Sequence, residues 1–170
     1  MGEKGNEAEW AKFNACMAKT RHCPALFLGI DPGRNGAVGW WIPERDAAGV
    51  FSLPRSAVDI AAMLRALKKD SWCKAVVEKH VNAQRYGVPL PRAFEFGRNV
   101  GIVQGIIAAV GIPTQELLPV KWQRLAGCQT HGDKKISRAK AQQLFPGVHV
   151  TLETADALVL AWVAQQVWRI

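Results

Sequence analysis

The chain is organised around Leu26-Phe-Leu-Gly-Ile-Asp31-Pro-Gly33, an apolar run that ends in a carboxylate and a turn. The run predicts a buried strand over 26–30, and the segment Gly-Ala-Val-Gly-Trp-Trp-Ile at 36–42 predicts a neighbouring strand. The turn between them contains Gly and Asn and is typical of a hairpin. With a third strand over about 49–53, these segments predict an antiparallel meander.

Beyond the meander, strands and helices are predicted to alternate. The segment 73–77 has few polar positions, as expected for a parallel strand that is covered on both faces. The other predicted elements are a helix capped by Ser56 and extending through Leu67, an irregular loop over 80–89, a helix over 91–110, a short strand over 113–117, and helices that start near residues 119, 134 and 151. This order predicts an α/β fold with a mixed five-stranded sheet and flanking helices.

Length and composition predict a single domain with a proper core, because the chain has 170 residues of which 49% are hydrophobic. We place this domain at residues 25–170. Residues 1–24 are read as an N-terminal extension, in which Trp10, Phe13 and Met17 have the spacing of a short amphipathic helix. We expect the extension to be an appendage of the domain.

The net charge of +8 favours a phosphate-rich partner, although a charged surface also serves solubility. The excess is concentrated between Lys79 and Pro146, where ten basic residues stand against three acidic ones. A long cationic region of this kind suits a polyanion, and the binding should weaken steeply with salt.

Membrane and secretory signals are missing from the sequence. No apolar run reaches the roughly 20 residues that span a bilayer, and residues 1–24 lack the pattern of a signal peptide. We therefore expect a cytoplasmic protein with no membrane contact. The four cysteines show no CxxC pairing, which favours reduced thiols over a zinc site or a disulfide framework.

Four acidic residues are candidates for a metal site. Asp31 and Glu78 each end an apolar run, and Glu153 and Asp156 are three residues apart, so on a helix they would share one face. Each has a simpler explanation alone, as a turn former, a solvated edge residue or a helix N-terminal residue. Together, converging carboxylates are the ligands of two magnesium or manganese ions that hydrolyse a phosphodiester.

These motifs together resemble one known family. The segments Gly29-Ile-Asp31-Pro-Gly33, Val76-Val-Glu78 and Glu153-Thr-Ala-Asp156-Ala-Leu158 occur in the order found in the RuvC family of Holliday junction resolvases, which have the ribonuclease H-like fold. The resemblance runs from about Leu26 to the end of the chain. It also includes three intervening segments, Phe96-Gly97-Arg-Asn-Val-Gly101, Pro119-Val-Lys121 and Gly132-Asp-Lys134-Lys135.

The resemblance implies a homodimeric, magnesium-dependent endonuclease that makes paired nicks across a four-way DNA junction. It implies that Asp31, Glu78, Glu153 and Asp156 hold two Mg²⁺ ions, which Mn²⁺ would replace. Lys121 and either Lys134 or Lys135 would lie near the scissile phosphate, with Lys134 favoured, and the helix over 91–110 would help to form the dimer interface. The residues expected to contact DNA are Lys121, Arg124, Lys134, Lys135, Arg138, Lys140, Arg85 and Tyr86.

The sequence departs from the family pattern in three places. The bacterial resolvases have Asp where Glu153 stands, and His80 and Val81 occupy the place of the family's aromatic wedge, so Tyr86 is the nearest aromatic substitute. Residues 1–24 have no counterpart in the family. These departures suggest a divergent branch, such as phage-borne or organellar resolvases, so that a host cytoplasm or an organelle matrix is also a possible location.

Two other interpretations remain open at the level of sequence. The first keeps the fold and changes the substrate to other branched DNA or structured RNA. The second is a non-catalytic protein that binds junctions through its cationic face, with a metal site impaired by Glu153. Trp122, between Lys121 and Arg124, is compatible both with stacking on a base and with burial.

Overall fold

The computed structural model describes residues 2–19, 23–33, 35–79 and 89–168, with side chains from residue 6 onward. Arg85 and Tyr86, as well as His80, Val81 and most of the loop predicted over 80–89, lie outside the described residues. The strands are β1 (Ala25–Asp31), β2 (Ala37–Ile42), β3 (Ala47–Ser52), β4 (Trp72–Glu78) and β5 (Thr114–Leu117). The helices are α1 (Gly2–Met17), α2 (Ala57–Lys69), α3 (Leu90–Val110), α4 (Pro119–Ala126), α5 (Lys134–Leu144) and α6 (Ala155–Val167), with a short 3₁₀ turn at Pro43–Arg45.

The strands form one five-stranded sheet in the order β3-β2-β1-β4-β5. The first three strands are antiparallel neighbours, and β1, β4 and β5 run parallel to one another. The predicted mixed five-stranded sheet with flanking helices is thus confirmed. The hairpin and the third strand of the meander lie within two residues of their predicted positions.

Hydrophobic clusters cover both faces of the sheet. Leu26, Leu28 and Ile30 of β1 point to the face covered by α1, α2 and α3. Phe27 points to the opposite face, where α4, α5 and α6 pack. This alternation follows from the two-residue period of a strand, and it places Asp31 on the same face as Phe27, towards α6.

Two glycines allow α6 to lie directly on the sheet. Gly29 of β1 and Gly39 of β2 are partners across the antiparallel ladder. A Cβ atom built at Gly29 would lie 2.2 Å from the carbonyl oxygen of Ala157, and one at Gly39 would lie 2.3 Å from the same oxygen. The backbone of α6 therefore occupies the space that side chains at these two positions would need. This close contact fixes the distance between α6 and strands β1 and β2.

The N-terminal helix contributes to the core, which corrects the expectation that the extension is an appendage. Phe13 is buried among the core residues and makes edge-to-face ring contacts with Trp40 and Phe51. The Asn6 side chain bonds both backbone groups of Ser52, with its Oδ1 accepting from the amide at 3.0 Å and its Nδ2 donating to the carbonyl at 3.2 Å. Helix α1 thus packs on β3 at the edge of the sheet.

The last helix begins later than predicted. The expected start near Thr151 is wrong, because α6 begins at Ala155 and residues 152–154 form a turn. The Thr154 hydroxyl accepts from the Thr151 amide at 3.0 Å, and the Thr151 hydroxyl accepts from the Thr154 amide at 3.3 Å. This reciprocal pair has the pattern of a capping box, and it holds the turn that leads into α6. Within the part of the chain that the structure describes, no helix is both long and apolar enough to cross a membrane.

Candidate functional site

Two of the predicted acids lie side by side at the ends of neighbouring strands. The register pairs Ile30 of β1 with Val77 of β4, and the next residues along these parallel strands are Asp31 and Glu78. Val77 points to the face of α1 to α3, so Glu78 points to the opposite face, as Asp31 does. The ends of β1 and β4 therefore bring Asp31 and Glu78 side by side.

Asp31 is held rigidly. Its side chain is buried, with the residue 9% exposed, and its Oδ1 accepts a hydrogen bond of 3.0 Å from the Gly33 amide. The turn that follows folds back closely, because a Cβ atom at Gly36 would lie 2.1 Å from the Asp31 carbonyl oxygen. A strand end and a tight turn thus fix both the backbone and the carboxylate of Asp31.

Asp156 lies in the first turn of α6, the helix that packs on the face of the sheet that Asp31 shares. The residue is 8% exposed, and burial raises the pKa of its carboxyl group. The negative charge of Asp31 raises this pKa further, whereas the Ser137 hydroxyl and the Lys134 ammonium group partly offset the shift. The Asp31 and Asp156 carboxylates are therefore coupled electrostatically, and the charge of Asp31 makes Asp156 more costly to ionise.

Lys134 supplies the nearest described cation. It is the first residue of α5, and its Nζ lies 3.6 Å from Oδ2 of Asp156. Lys135, the alternative at the sequence level, has its amide bonded to the side chain of Asp133, which caps the same helix. The structure thus places Lys134, rather than Lys135, against the acids.

Glu78 is oriented by a residue that the sequence did not assign to the site. Trp122 of α4 is fully buried, and its indole Nε1 donates a hydrogen bond of 3.0 Å to Oε2 of Glu78. Of the two possibilities open for Trp122, the structure selects burial over stacking on a base. The only sequence signal was its place beside Lys121, on a short helix that follows a strand.

Glu153 has a different environment from the other acids. It is exposed and lies in the turn before α6, so it does not share a helical face with Asp156. Its pKa is lowered, first by a hydrogen bond from the Thr151 side chain, then by its own backbone amide and by the charge of Lys134. Its carboxylate therefore stays ionised and faces solvent.

Asp31 and Asp156 are coupled to each other, and Glu78 lies on the strand next to Asp31. These acids do not form a preformed metal site. Among the described residues, no group of three or more His, Cys, Asp or Glu side chains could hold a metal ion in its present arrangement. The donor set itself consists of carboxylate oxygens, which magnesium and manganese prefer. Asp31, Asp156 and Glu78 are the residues that would hold such an ion, and Glu153 lies in the adjoining turn.

The other predicted DNA contacts that the structure describes lie on two helices. Lys121 and Arg124 are exposed on α4, Lys135 and Arg138 are exposed on α5, and Lys140 is half-buried on α5. Both helices belong to the layer that covers the α6 face of the sheet. The cations are therefore on the same side of the sheet as Asp31, Glu78 and Asp156.

This sheet order, with a meander followed by parallel strands and helices on both faces, is the ribonuclease H-like fold. The solved structures that match include RuvC from Thermus thermophilus in complex with a Holliday junction substrate, with a TM-score of 0.56, 18% identity, and coverage of 81% of this chain and 90% of that one. A second Thermus thermophilus RuvC structure matches with a TM-score of 0.52 and 16% identity over 80% of this chain and 90% of that one. No protein-family model and no curated protein matches the sequence. At these identities the similarity establishes the fold.

Replacing Asp156 with Asn is expected to stabilise the protein at neutral pH when no divalent ion is present. The folded-state pKa of Asp156 is raised, so the folded state loses stability as the pH rises through the range between the unfolded and folded pKa values. Asn carries no charge and avoids this cost. A gain on the order of 1 kcal/mol would raise Tm by about 2–4 °C.

Thermal unfolding at pH 7.5 and pH 4.5 tests this expectation, and the gain should be larger at pH 7.5. Glu153→Gln is the matched control, because this exposed carboxyl has a lowered pKa and its neutralisation should not raise Tm. An Asp156→Asn variant less stable than the wild type at both pH values would contradict the assignment of Asp156 as a costly buried charge.

Proposed function

We propose that this protein is a magnesium-dependent endonuclease that cuts four-way DNA junctions by metal-assisted phosphodiester hydrolysis. The observation that carries the proposal is that Asp31 lies next to Glu78 at adjacent strand ends and is coupled electrostatically to Asp156 of α6, on one face of a ribonuclease H-like sheet. The similarity to a RuvC structure that contains a Holliday junction substrate supports the choice of substrate. The sequence order of the acids supports it independently.

Each residue of the site has a distinct role in this proposal. Bound divalent ions would activate the attacking water and stabilise the leaving oxygen. Asp31 would present its carboxylate from a rigid strand end, and Trp122 would keep one oxygen of Glu78 in a fixed direction. Lys134 would place its ammonium group near the scissile phosphate and offset the charge that grows there. Manganese would substitute for magnesium, because both ions favour oxygen ligands.

DNA would be held by the cations of the α6 face. Lys121 and Arg124 on α4, with Lys135, Arg138 and Lys140 on α5, flank the acids and would contact backbone phosphates. Such contacts position a duplex arm without reading its sequence. The preference for a branched substrate would then come from the geometry of the whole dimer rather than from base contacts.

We propose that α3 forms the interface of a homodimer. Gly97, Gly101 and Gly105 recur at every fourth position, and a Cβ atom at any of them would meet no other described atom within 4 Å. Leu90 and Phe94, on the same stripe of the helix, are 72% and 73% exposed. Packing within the described chain therefore does not account for these glycines, whereas close contact with a second copy of α3 would.

Gly101→Arg is expected to convert a dimer into a monomer, because the long charged side chain would stand between two closely packed helices. Sedimentation should give twice the 18.7 kDa chain mass for the wild type and a single chain mass for the variant. Gly147→Arg is the control, since this glycine also has open space around it and lies outside α3. A wild-type protein that is monomeric at micromolar concentration would refute the interface.

Incubation with an end-labelled four-way junction, with and without magnesium, tests the proposed activity. Paired nicks near the crossover that require the metal are the expected result. A duplex of the same sequence is the control and should be cut far more slowly. Equal cleavage of junction and duplex would refute junction selectivity, and preferential cleavage of flaps, forks or structured RNA would favour the other branched substrates.

A non-catalytic junction-binding protein is the second candidate function. The Lys134 ammonium group already lies 3.6 Å from Asp156, and no group of three or more described side chains could hold a metal ion in its present arrangement. This candidate predicts tight, salt-dependent binding of a junction and intact DNA after prolonged incubation with magnesium or manganese. The cleavage assay therefore separates the two functions.

A further inference from the structure

A cleft opens beside the candidate site, between the turn after β1 and the helices α2 and α3. Pro32 and Gly33, the two residues that follow Asp31, form one edge of this cleft. The Gly33 amide donates a hydrogen bond of 3.0 Å to the Asp31 carboxylate, so the edge of the cleft is in direct contact with that side chain. The empty volume, including the open mouth, is about 770 Å³.

The walls of the cleft combine apolar surface with charged groups. Leu53, Ile60 and Ile102 contribute aliphatic side chains from the loop before α2, from α2 and from α3. Arg55 lies just before α2, and Arg98 lies on α3. A mostly polar lining that has two guanidinium groups and a smaller aliphatic area is suited to a phosphate with its attached sugar and base.

The two arginines are available for an external partner. Both are exposed, and neither makes an ion pair or a side-chain hydrogen bond with another described residue. Glu95, one turn before Arg98 on α3, also lines the cleft and reduces its net charge to +1. An anion held by the arginines would therefore be repelled by Glu95. Removing the arginine charges should weaken anion binding, and removing the Glu95 charge should strengthen it.

We propose that this cleft is a second nucleotide subsite, in which Arg55 and Arg98 hold a backbone phosphate of the DNA next to the position that is cut, while its sugar and base lie against the aliphatic part of the lining. The inference rests on the proposed function, because the cleft adjoins Asp31. It adds contacts from α2 and α3, which lie on the other face of the sheet from the cations of α4 and α5. The DNA would thus be held on both sides of the acids.

The test measures binding of a fluorescent four-way junction in EDTA as a function of salt. The double variant Arg55→Gln and Arg98→Gln should lower the slope of log K against log salt by about 1 for each occupied cleft, because one lost phosphate contact contributes about 0.9. Glu95→Gln should tighten binding, which general disruption of the fold would not do. Arg65→Gln, at an exposed position of α2 outside the cleft, is the matched control and should leave the slope unchanged.

A steric variant separates a true subsite from general surface charge. Ala57 is exposed and lines the cleft, so Ala57→Phe should obstruct it without changing the charge and should weaken junction binding. Wild-type affinity in Ala57→Phe, or an unchanged salt slope in the double arginine variant, would overturn the subsite. Inorganic phosphate, added at constant ionic strength, should compete only weakly. Tight phosphate binding that needs both arginines, combined with an unchanged slope for DNA, would instead identify a site for free anions and overturn the proposal.

These outcomes are separate from those of the cleavage assay, because binding is measured without a divalent ion. A protein that never cuts a junction but shows the reduced slope would contradict the nuclease proposal and support the subsite. A protein that cuts junctions and shows an unchanged slope in the double variant would contradict the subsite alone.

Discussion

Asp31→Asn is expected to abolish metal-dependent cleavage while leaving junction binding intact. The substitution removes one negative charge from the site but keeps an oxygen that can accept the hydrogen bond from the Gly33 amide, so the turn should be preserved. It also removes the charge that raises the pKa of Asp156, and the folded state should be no less stable than the wild type. The cleavage rate should fall at least about 10²-fold, as when one electrostatic contact to a transition state is lost.

Single-turnover cleavage and binding in EDTA should be measured on the same preparation. Binding should stay within about threefold of the wild type, because the phosphate contacts are made by other side chains. Asp70→Asn, an exposed acid at the C-terminal end of α2, is the matched control and should cut at the wild-type rate. Undiminished cutting by Asp31→Asn would remove Asp31 from the metal site and with it the proposed mechanism.

The sequence predicts the part of the site that depends on local pattern. An apolar run predicts a strand whatever packs around it, and a carboxylate at its end is placed by the strand itself. Because β1 and β4 are parallel neighbours and Ile30 pairs with Val77, Asp31 and Glu78 lie together at the carboxyl ends of these two strands. The alternation of side chains then fixes which face the two carboxylates share.

The remaining features of the site depend on contacts between distant segments. A tryptophan between two cations is equally compatible with DNA stacking and with burial, and only the packing of α4 brings Trp122 to Glu78. The spacing of Glu153 and Asp156 fits a helix, but residues 152–154 form a turn held by the Thr151 and Thr154 hydroxyls, and the helix starts after Glu153. Phe13 reaches the core because Trp40 and Phe51 leave an aromatic surface on that face of the sheet.

Gly29→Ala is expected to be the most destabilising small substitution in the sheet. The added methyl group would lie 2.2 Å from both the carbonyl oxygen of Ala157 and the amide nitrogen of Ala161, and 2.6 Å from the carbonyl carbon of Leu160. All three are backbone atoms of one buried helix, so no side-chain rotation can relieve the overlap. Overpacking of a core commonly costs about 1–3 kcal/mol, and we expect this variant to reach or exceed about 3 kcal/mol.

Denaturant unfolding and thermal unfolding should both detect this loss, which corresponds to a decrease in Tm of about 6–12 °C for a chain of this size. Gly147→Ala is the matched control, because its new methyl group meets no other described atom within 4 Å, and its stability should stay within about 0.5 kcal/mol of the wild type. A Gly29→Ala variant as stable as this control would contradict the direct contact between α6 and β1.

The same substitution links the packing of α6 to the proposed chemistry. Asp156 directly precedes Ala157, so a helix pushed away from β1 would carry the Asp156 carboxylate away from Asp31. At a temperature where Gly29→Ala is still folded, cleavage should therefore fall by more than the unfolded fraction explains. Junction binding should fall less than cleavage, because the exposed cations on α4 and α5 do not need a fixed distance to Asp31 in order to contact phosphates. A rate that simply follows the folded fraction would show that the separation of the two acids is not set by the glycine contact.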